Sequence, residues 1–389
     1  NAASLNPALE VFIVEKSNKI LQKVLVSGGG RCNLTHACFD INEMASRYPR
    51  GERFVKKAFY QFFTTDTIEW FENRDVPTKT ETDGRMFPES NSSQTIINCL
   101  MNEAEKYKVK LMFHKAVERI EPIENGFDIY FKDLEIAKAD YVMIATGGFQ
   151  KLNQFDWLKN LNLKIEEPVP SLFTFNFPKH PLNDLMGIAV PDAVVKIAGT
   201  KLLSQGPTLI THWGLSGPAV LRLSAFAARE LAEVNYQFKV MVNWCPDFNE
   251  QTFMQAIQEQ RNISPSKKTI NGNFIGLPSR LWEFMLLQSG IDENKRWADL
   301  KSNMVNLLAK NVCAYEINAS GKTTFKDEFV SAGGISLNEI DANTMMSKKH
   351  KGLYFGGEVM DVDGITGGYN FQHAWTSGFV AAKNIAEVS

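Results

Sequence analysis

Hydrophobic and polar residues alternate along the first part of the chain in patterns that predict strands and helices in turn. The apolar run at 11–16 (VFIVEK) has the β-branched and aromatic content of a strand. Apolar residues recur at steps of three and four over 53–74 and over 92–108, which predicts an amphipathic helix in each segment. Strand patterns follow at 110–131 and 137–148. Strands that alternate with helices indicate an α/β sheet.

The pattern changes at about residue 165, where short strands bounded by prolines begin. Helical spacing returns between 249 and 312, in a stretch rich in Lys, Asn and Gln, and the chain ends on a glycine turn followed by a long helix pattern. We therefore predict a discontinuous α/β domain at 1–166 and 331–389, interrupted by a β-rich domain at 167–330 that carries the helical subdomain.

The composition is that of a soluble globular protein, with 44% hydrophobic and 22% charged residues. No run approaches the roughly 18 apolar residues that a membrane helix needs, and the first residues lack the regions of a signal peptide. The 42 basic and 44 acidic residues nearly balance, so no overall field favours nucleic acid or an anionic membrane. We expect a cytoplasmic protein with a small-molecule substrate and with neither a nucleic-acid nor a membrane partner.

Five cysteines are scattered without a CxxC pair, which argues against a disulfide framework and against a metal site. Five residues separate Cys32 from Cys38, which is not the spacing of a redox dithiol. The chain begins with Asn rather than Met, and its first residues have the pattern of a helix tail with nothing before it to pack on. We therefore expect the natural chain to start earlier, by one strand and most of one helix.

Three adjacent glycines in SGGGRCN, at 27–33, expose backbone N–H groups and permit the close approach of a phosphate or a planar ring. Arg31 adds a cation behind them, and Asn33 and Thr35 add short hydrogen-bonding side chains. A flexible surface loop does not require these residues, so we interpret the segment as a binding loop. Glu15 ends the first strand, where an acid binds a ribose diol in dinucleotide-binding units, although a surface acid is the simpler interpretation of this residue alone.

The segment 352–375 holds the densest set of candidate residues. A strand ends in two glycines and Glu358, two aspartates follow, and Gly367 and Gly368 open a helix. The unpaired N–H groups and partial positive charge of a helix N-terminus suit a developing anion, such as the N1–C2=O edge of a reduced isoalloxazine. An ordinary strand, turn and helix would leave the glycine pairs and the acids unexplained.

Three residues are candidates for proton transfer or for holding a substrate. His212 lies directly before a Gly/Ser-rich turn and can act as an acid or base near neutral pH, although a lone loop histidine is more often structural. Arg85 lies beside a proline turn and can hold an anionic or carbonyl group, with a surface arginine as the equal alternative. His373, in the last helix pattern, is the third candidate.

Seven segments are informative when they are taken together and in order: VEK at 14–16, SGGGRCNLTH at 27–36, DGRMFPES at 83–90, ATGGF at 145–149, THWGLSGPAVL at 211–221, SAGGI at 331–335 and LYFGGEVMDVDGITGGYNFQHAW at 353–375. Over essentially its whole length the chain resembles the BaiN-like (YhiN-like) family of NAD(P)/FAD-dependent oxidoreductases. The most specific pieces are SGGGRCN and DGxTGGYN. The resemblance implies a Rossmann-type FAD-binding domain of the glutathione-reductase-like group, interrupted by the β-rich domain with its helical insert.

The resemblance also implies which residues bind FAD. Glu15 would bind the adenosine ribose, Val117 would contact the adenine, and the segment 145–147 would approach the pyrophosphate. The residues of 357–361 would meet the ribityl-phosphate region, and those of 367–370 would flank the flavin ring. The complete implied set is Glu15, Lys16, Gly28, Gly29, Gly30, Arg31, Cys32, Asn33, Val117, Ala145, Thr146, Gly147, Gly357, Glu358, Asp361, Gly367, Gly368, Tyr369 and Asn370.

One motif of the family, the N-terminal GxGxxG strand, turn and helix, is absent from this sequence. The activity that the resemblance implies is reduction of FAD by NADH or NADPH, followed by hydride transfer to an electron-poor C=C bond or a carbonyl-conjugated small molecule. Two alternatives stay open. One is a flavin-binding redox sensor or scaffold without turnover, and the other is a flavin-dependent RNA-modifying enzyme, for which the sequence shows no basic stripe with interleaved aromatic residues.

Overall fold

The computed structural model describes residues 1–323 and 330–389, and residues 324–329, which fall in the predicted β-rich domain, lie outside the described part. The described residues divide into two compact units, one of residues 1–170 with 330–389 and one of residues 171–323. The α-helices are α1 (Ala2–Leu5), α2 (Gln22–Gly30), α3 (Ile41–Ala45), α4 (Glu52–Phe59), α5 (Thr64–Glu72), α6 (Ser93–Lys106), α7 (Pro218–Phe226), α8 (Ala228–Glu233), α9 (Glu250–Ile263), α10 (Ser279–Gln288), α11 (Ser302–Cys313) and α12 (Tyr369–Val388).

The strands of the described residues are β1 (Phe12–Val14), β2 (Thr35–His36), β3 (Thr78–Thr80), β4 (Arg85–Pro88), β5 (Lys110–Met112), β6 (Val117–Ile123), β7 (Gly126–Phe131), β8 (Ile136–Ala139), β9 (Val142–Ile144), β10 (Ile165–Ser171), β11 (Thr174–Asn176), β12 (Ala189–Ile197), β13 (Leu203–Thr211), β14 (Gly214–Ser216), β15 (Gln237–Asn243), β16 (Tyr315–Ser320), β17 (Lys322–Thr323), β18 (Val330–Ile335) and β19 (Leu353–Phe355). Short 3-10 helices occupy Leu152–Leu161, Pro181–Leu185, Thr269–Asn271, Trp297–Asp299, Leu337–Glu339 and Gly357–Val359.

The first unit contains two pairs of parallel strands. β1 pairs with β5, with Phe12 opposite Lys110, and β9 pairs with β19, with Val142 opposite Leu353. Parallel strands need long crossover connections, and the helices α2 to α6 lie between β1 and β5 along the chain. The α/β fold class predicted from the alternating patterns is confirmed.

A small antiparallel sheet in the first unit brings two distant segments together. Its strand order is β2, β4, β3, and its register places Thr35 opposite Met86 and His36 opposite Arg85. The strands β6, β7 and β8 form a second antiparallel sheet in the same unit. The sheet of β2 and β4 matters for the site, because it joins the SGGGRCNLTH and DGRMFPES segments.

The glycine-rich segment at 27–30 leaves the helical geometry of the first part of α2. Ser27 is extended, with ψ of 148°, and the next three residues have left-handed φ values of 57°, 68° and 82°. Left-handed backbone in three consecutive residues is accessible without strain only to glycine. The triplet therefore turns the chain out of the helix and towards β2.

The prediction of one helix over 53–74 is wrong, because a turn divides this segment into α4 and α5. The backbone N–H of Phe63 donates to the Asp66 carboxylate at 2.6 Å, which caps the start of a new helix. The prediction for 92–108 is confirmed by α6, whose first turn is capped by Ser92, with Oγ accepting from the Gln94 N–H at 3.3 Å.

The last helix, α12, follows the second glycine pair, as the sequence predicted. Gly368 is its N-cap, and its 20 residues span about 30 Å. Its buried face carries polar residues that bind neighbouring elements: the Gln372 amide oxygen accepts from the hydroxyls of Thr35, at 2.6 Å, and Thr67, at 3.0 Å. These bonds fix α12 against β2 and α5.

The second unit is built on a seven-stranded sheet of order β16, β15, β12, β13, β14, β11, β17. Phe173, Phe175 and Trp244 are buried in its core. The helices α9, α10 and α11 occupy the predicted helical stretch at 249–312. In the described part of the chain, no helix combines the length and apolar character that crossing a membrane requires.

Candidate functional site

Three segments that are far apart in sequence meet around His36. The His36 Nδ1 lies 3.0 Å from the Gly367 carbonyl oxygen, and the ring stacks on Tyr369 with centroids 4.8 Å apart. A Cβ at Gly84 would lie 2.6 Å from His36 Nε2, so this glycine permits the close approach of the ring. We call His36, Gly84, Arg85, Gly367 and Tyr369 the ring cluster.

The N-terminus of α12 is docked directly on β2. Gly368 has φ of 95°, and a Cβ there would lie 2.4 Å from the Thr35 carbonyl oxygen. With the Asn33 amide oriented to satisfy both neighbours, its oxygen accepts from the Gly368 N–H at 3.0 Å and its nitrogen donates to the Thr35 carbonyl at 3.1 Å. Asn33, from the SGGGRCN segment, thus binds the backbone of Gly368, which belongs to the DGxTGGYN segment.

The loop before α12 is also fixed by side chains. The Asn370 amide oxygen accepts from the Gly364 N–H at 2.7 Å, and its nitrogen donates to the Gly364 carbonyl at 3.0 Å. Tyr48 donates its hydroxyl to the Tyr369 carbonyl at 2.6 Å. The predicted flavin-ring residues therefore belong to a pre-formed turn, and the Asn370 side chain is used in holding it.

Arg85, the candidate for holding an anionic group, lies among acids. Its guanidinium pairs with Asp83 at 2.7 Å and with Glu81 at 3.2 Å, and Arg31 pairs with the same Glu81 at 2.6 Å. The centres of both guanidinium groups lie over the Phe87 ring, at 4.1 Å for Arg31 and 5.5 Å for Arg85. The two arginines are held in place, and their charge is balanced by the carboxylates.

A second cluster lies at Glu358, which we call the Glu358 cluster. Lys23 of α2 forms an ion pair with Glu358, and the Ser331 N–H donates to the Glu358 carboxylate at 3.2 Å. A Cβ at Gly148 would lie 2.9 Å from that carboxylate, and one at Gly147 would lie 3.8 Å from Lys23 Nζ. The structure therefore brings the segment 147–148 close to Glu358 and Lys23, and the predicted contacts of Gly147 and Glu358 with a cofactor stay predictions. Lys23 was missed, because nothing in its local sequence distinguishes it from a surface lysine.

Several predicted cofactor residues follow the carboxyl ends of parallel strands. Glu15 follows β1, Ala145 follows β9, and Gly357 lies just beyond β19. In open α/β sheets, ligands bind in the crevice beyond these ends. The Glu15 carboxylate accepts from the Ser17 N–H at 2.8 Å, which turns the chain immediately after the strand.

The remaining predicted residues lie in ordinary positions. Val117 begins β6 opposite Phe131, and the Asp361 N–H donates to the Ile335 carbonyl at 2.9 Å. Lys16 and Thr146 are exposed. Their predicted contacts with a cofactor stay predictions.

Two predicted side chains are enclosed by protein. His373 is only 2% exposed, and burial lowers its pKa to about 4, so the ring is neutral at neutral pH. The Cys32 thiol is fully buried in the core around Val24 and Phe71, and burial raises its pKa to about 12. These positions argue against His373 as an acid near neutral pH and against a direct contact of the Cys32 thiol with a ligand.

His212 belongs to the other unit. It is exposed, and its ring lies against Trp213 with centroids 3.6 Å apart. The structure thus places His212 outside the unit that contains the ring cluster and the Glu358 cluster, and its catalytic role stays a prediction.

Comparison with known proteins gives the family. The family described as "HI0933-like protein Rossmann domain" matches residues 2–384. The chain belongs to this FAD-binding Rossmann family. The predicted resemblance and the Rossmann-type domain are confirmed, and membership supports an FAD-dependent oxidoreductase.

Curated relatives cover nearly the whole chain. A ribosomal RNA dihydrouridine synthase of Escherichia coli (strain K12) is 31% identical over 96% of this chain and 92% of its own length. A 3-dehydro-bile acid delta(4,6)-reductase of Clostridium scindens is 29% identical over 99% of this chain and 95% of its own length. A solved 3-ketosteroid delta1-dehydrogenase from Sterolibacterium denitrificans is 14% identical, with a TM-score of 0.49, over 100% of this chain and 96% of that one.

The residues present fit an FAD. A Cβ at Gly29 or Gly30 would meet no atom within 4 Å, so the exposed left-handed backbone borders open space beside Arg31. Backbone of this kind presents N–H groups that suit a phosphate or the face of a ring.

Proposed function

We propose that this protein is an FAD-dependent reductase that takes electrons from NADH or NADPH and saturates a C=C bond conjugated to a carbonyl group. The observation that carries the proposal is the ring cluster: the half-buried His36 contacts Gly367, one of the glycines that the resemblance assigns to the flavin ring, and Arg85 lies opposite His36 in the sheet. Proton transfer and carbonyl binding at one place are what reduction of such a bond requires.

FAD, when bound, would supply the hydride. The protein's part is binding, orientation and electrostatics. Gly28 to Gly30 would bind the cofactor through backbone N–H groups, and Glu15 would bind the ribose. The fixed turn at 364–370 would hold the ring edge against the N-terminus of α12, whose partial positive charge stabilises a reduced, anionic ring.

The names of the relatives support this reaction class. One is a delta(4,6)-reductase of 3-dehydro-bile acids, and the other is a dihydrouridine synthase. Dihydrouridine is uridine with its C5=C6 bond saturated, and that bond is conjugated to a carbonyl group. Both names therefore describe the same bond chemistry on very different substrates, which favours the reaction class over any single substrate.

An anaerobic experiment on the full-length protein tests the proposal. We expect NADH or NADPH to bleach the absorbance of bound FAD, and simple enones such as 2-cyclohexen-1-one to restore it. The bound flavin should be lost in Glu15→Ala and in Gly368→Asp variants. Undiminished flavin content in both variants would contradict the assigned site.

The same experiment separates the redox sensor or scaffold from the enzyme. A sensor holds FAD but is not turned over by a nicotinamide and an organic acceptor. Absence of bleaching by both NADH and NADPH, with FAD bound, would favour the sensor.

The second candidate is reduction of uridine in RNA, and a basic cavity favours it. A cavity of about 460 Å³ in the first unit is lined by three basic residues, Arg53 and Lys57 of α4 and Lys348. Its acid, Asp341, accepts from the Asn343 backbone N–H at 2.9 Å. A cavity with excess positive charge suits a phosphate backbone.

This candidate is tested by measuring dihydrouridine in ribosomal RNA from cells with and without the gene. Loss of the modified base, restored by the wild-type gene and not by an Arg53→Glu, Lys57→Glu double variant that still binds FAD, would select RNA as the substrate. Unchanged dihydrouridine would exclude it.

A further inference from the structure

His36 is held in one orientation and one tautomer by its neighbours. A carbonyl oxygen only accepts hydrogen bonds, so His36 Nδ1, 3.0 Å from the Gly367 carbonyl, must carry a proton. In the neutral ring Nε2 is then unprotonated, and it is the ring atom nearest to the position that a Cβ at Gly84 would occupy. The stacking on Tyr369 fixes the plane of the ring. Proton exchange at His36 is thereby confined to Nε2.

His36 lies between two segments of the candidate site. The pairing of β2 with β4 sets His36 directly across from Arg85, and its Nδ1 contacts the turn that leads into α12. The side chain is half-buried, so it is shielded from bulk water without being enclosed as His373 is. Of the described histidines, His36 is the one in contact with Gly367 and Tyr369.

We propose that His36 is the proton donor of the reaction, and that it acts through Nε2. The inference rests on the proposed function, because it concerns the second step of the same reduction. It adds a catalytic residue that the sequence does not single out. His36 ends the SGGGRCNLTH segment, and no local pattern there indicates a role for it.

The proposed reduction places a hydride on one carbon of the C=C bond and a proton on the other. FAD, when bound and reduced, would supply the hydride to the β-carbon of the conjugated bond. The π electron pair moves towards the carbonyl group and forms an enolate. The Nε2–H bond of the His36 imidazolium then breaks, its proton forms the new C–H bond at the α-carbon, and neutral imidazole is left. Water returns a proton to Nε2, and NADH or NADPH restores the reductant.

In the structure the pKa of His36 lies below its ordinary value, chiefly because of burial, so a further negative charge would favour its protonated form. The hydrogen bond to Gly367 opposes the effect of burial. Asp83 and Glu43 favour the protonated ring, and Arg47 opposes it. An anionic reduced flavin beside Tyr369 would add a further negative charge, so reduction would draw a proton onto His36. His36 would thereby be protonated at the stage at which the enolate needs a proton.

The test compares His36→Asn with wild type in the full-length protein loaded with FAD. Asparagine can still donate from its side-chain nitrogen to the Gly367 carbonyl, and it cannot exchange a proton. His114→Asn is the matched control, because His114 is exposed and has φ of 56°, a conformation that asparagine tolerates.

The first readout is the reduction potential of the flavin as a function of pH, which needs no substrate. In wild type and in His114→Asn, the slope of the potential against pH should change at the pH where His36 takes up its proton. In His36→Asn this change of slope should be absent. Identical pH dependence in all three proteins would overturn the inference and leave the proposed function intact. A protein that binds no FAD would overturn both the inference about His36 and the proposed function.

The second readout separates the half-reactions by anaerobic stopped flow. Flavin reduction by NADPH should change less than about twofold in His36→Asn, because it requires no proton donor. Reoxidation by 2-cyclohexen-1-one should slow by about 100-fold or more and should lose its decline with rising pH. An equal fall in both half-reactions would show that His36 is structural and would overturn the inference.

Discussion

Arg50 and Asp363 form a buried ion pair that joins the start of α4 to the turn before α12. The Arg50 Nε lies 2.5 Å from one carboxylate oxygen, and Nη2 contacts the other. The Asp363 side chain is fully buried, and that of Arg50 is 11% exposed. A two-pronged pair of this kind is rigid, so it sets the position of the turn that carries Gly367 and Gly368.

Replacing Asp363 with Asn should destabilise the fold by about 3 kcal/mol, because it removes the carboxylate that pairs with the buried Arg50 guanidinium. Urea unfolding measures the loss, and flavin content should fall with it as the turn loosens. The control is Arg47→Gln, which breaks the exposed pair between Arg47 and Glu43 at 3.0 Å and should cost less than about 1 kcal/mol. Equal effects of the two variants would contradict the structural role of the buried pair.

Alanine at Gly29 or Gly30 should reduce FAD affinity far more than it reduces stability. Neither added methyl group meets a protein atom within 4 Å, so folding loses only about 1–2 kcal/mol from the left-handed backbone. Gly187→Ala and Gly199→Ala are matched controls, because both positions have left-handed φ and the same open surroundings in the other unit. Titration with FAD measures the affinity of each variant. Equal affinities in all four variants would show that Gly29 and Gly30 are not part of the FAD site.

The native thiols should be unreactive. All five cysteines are buried, and burial raises the pKa of Cys32 and of Cys313 to about 12, so thiolate is scarce at pH 8. An aromatic disulfide reagent should label no thiol of the folded chain rapidly and all five after unfolding in urea. A Lys201→Cys variant supplies an exposed thiol as the positive control. Rapid labelling of a native cysteine would argue for a redox role.

Stability should fall as the pH falls from about 6.5 towards 4, and His373 should account for part of that fall. The folded chain holds His373 with a pKa of about 4, whereas the unfolded chain takes up the proton near 6.5. Because the unfolded state binds more protons in this window, acid favours unfolding, by about 3 kcal/mol once both pKa values are passed.

Urea unfolding across this pH range should show a flatter profile for His373→Leu than for wild type, while His114→Asn should match wild type. Parallel profiles for His373→Leu and wild type would mean that His373 is not held neutral.

Most residues of the candidate site could be proposed from the sequence because their conformations depend on local chemistry. Gly28 to Gly30 and the 367–368 pair need backbone conformations that few residues adopt, and such needs are visible in a sequence. Glu15 and Glu358 could be proposed because they follow apolar strands.

What could not be predicted depends on contacts across the fold. His36 gains its significance from the register of β2 with β4 and from the Gly367 carbonyl, neither of which leaves a local pattern. The division of 53–74 into two helices depends on the cap at Phe63 and Asp66, which a helical repeat of apolar residues conceals. Lys23 and the burial of His373 are likewise set by packing.

The length of α12 has a practical consequence. The helix begins at Gly368, and near its other end the Val388 carbonyl accepts from the Tyr141 hydroxyl at 3.1 Å. A dye, affinity handle or electrode linker attached at Ser389 would therefore be anchored about 30 Å from Gly368. Attachment at Ser389 should let a surface-bound sample be studied by voltammetry or calorimetry with the proposed reaction centre unobstructed.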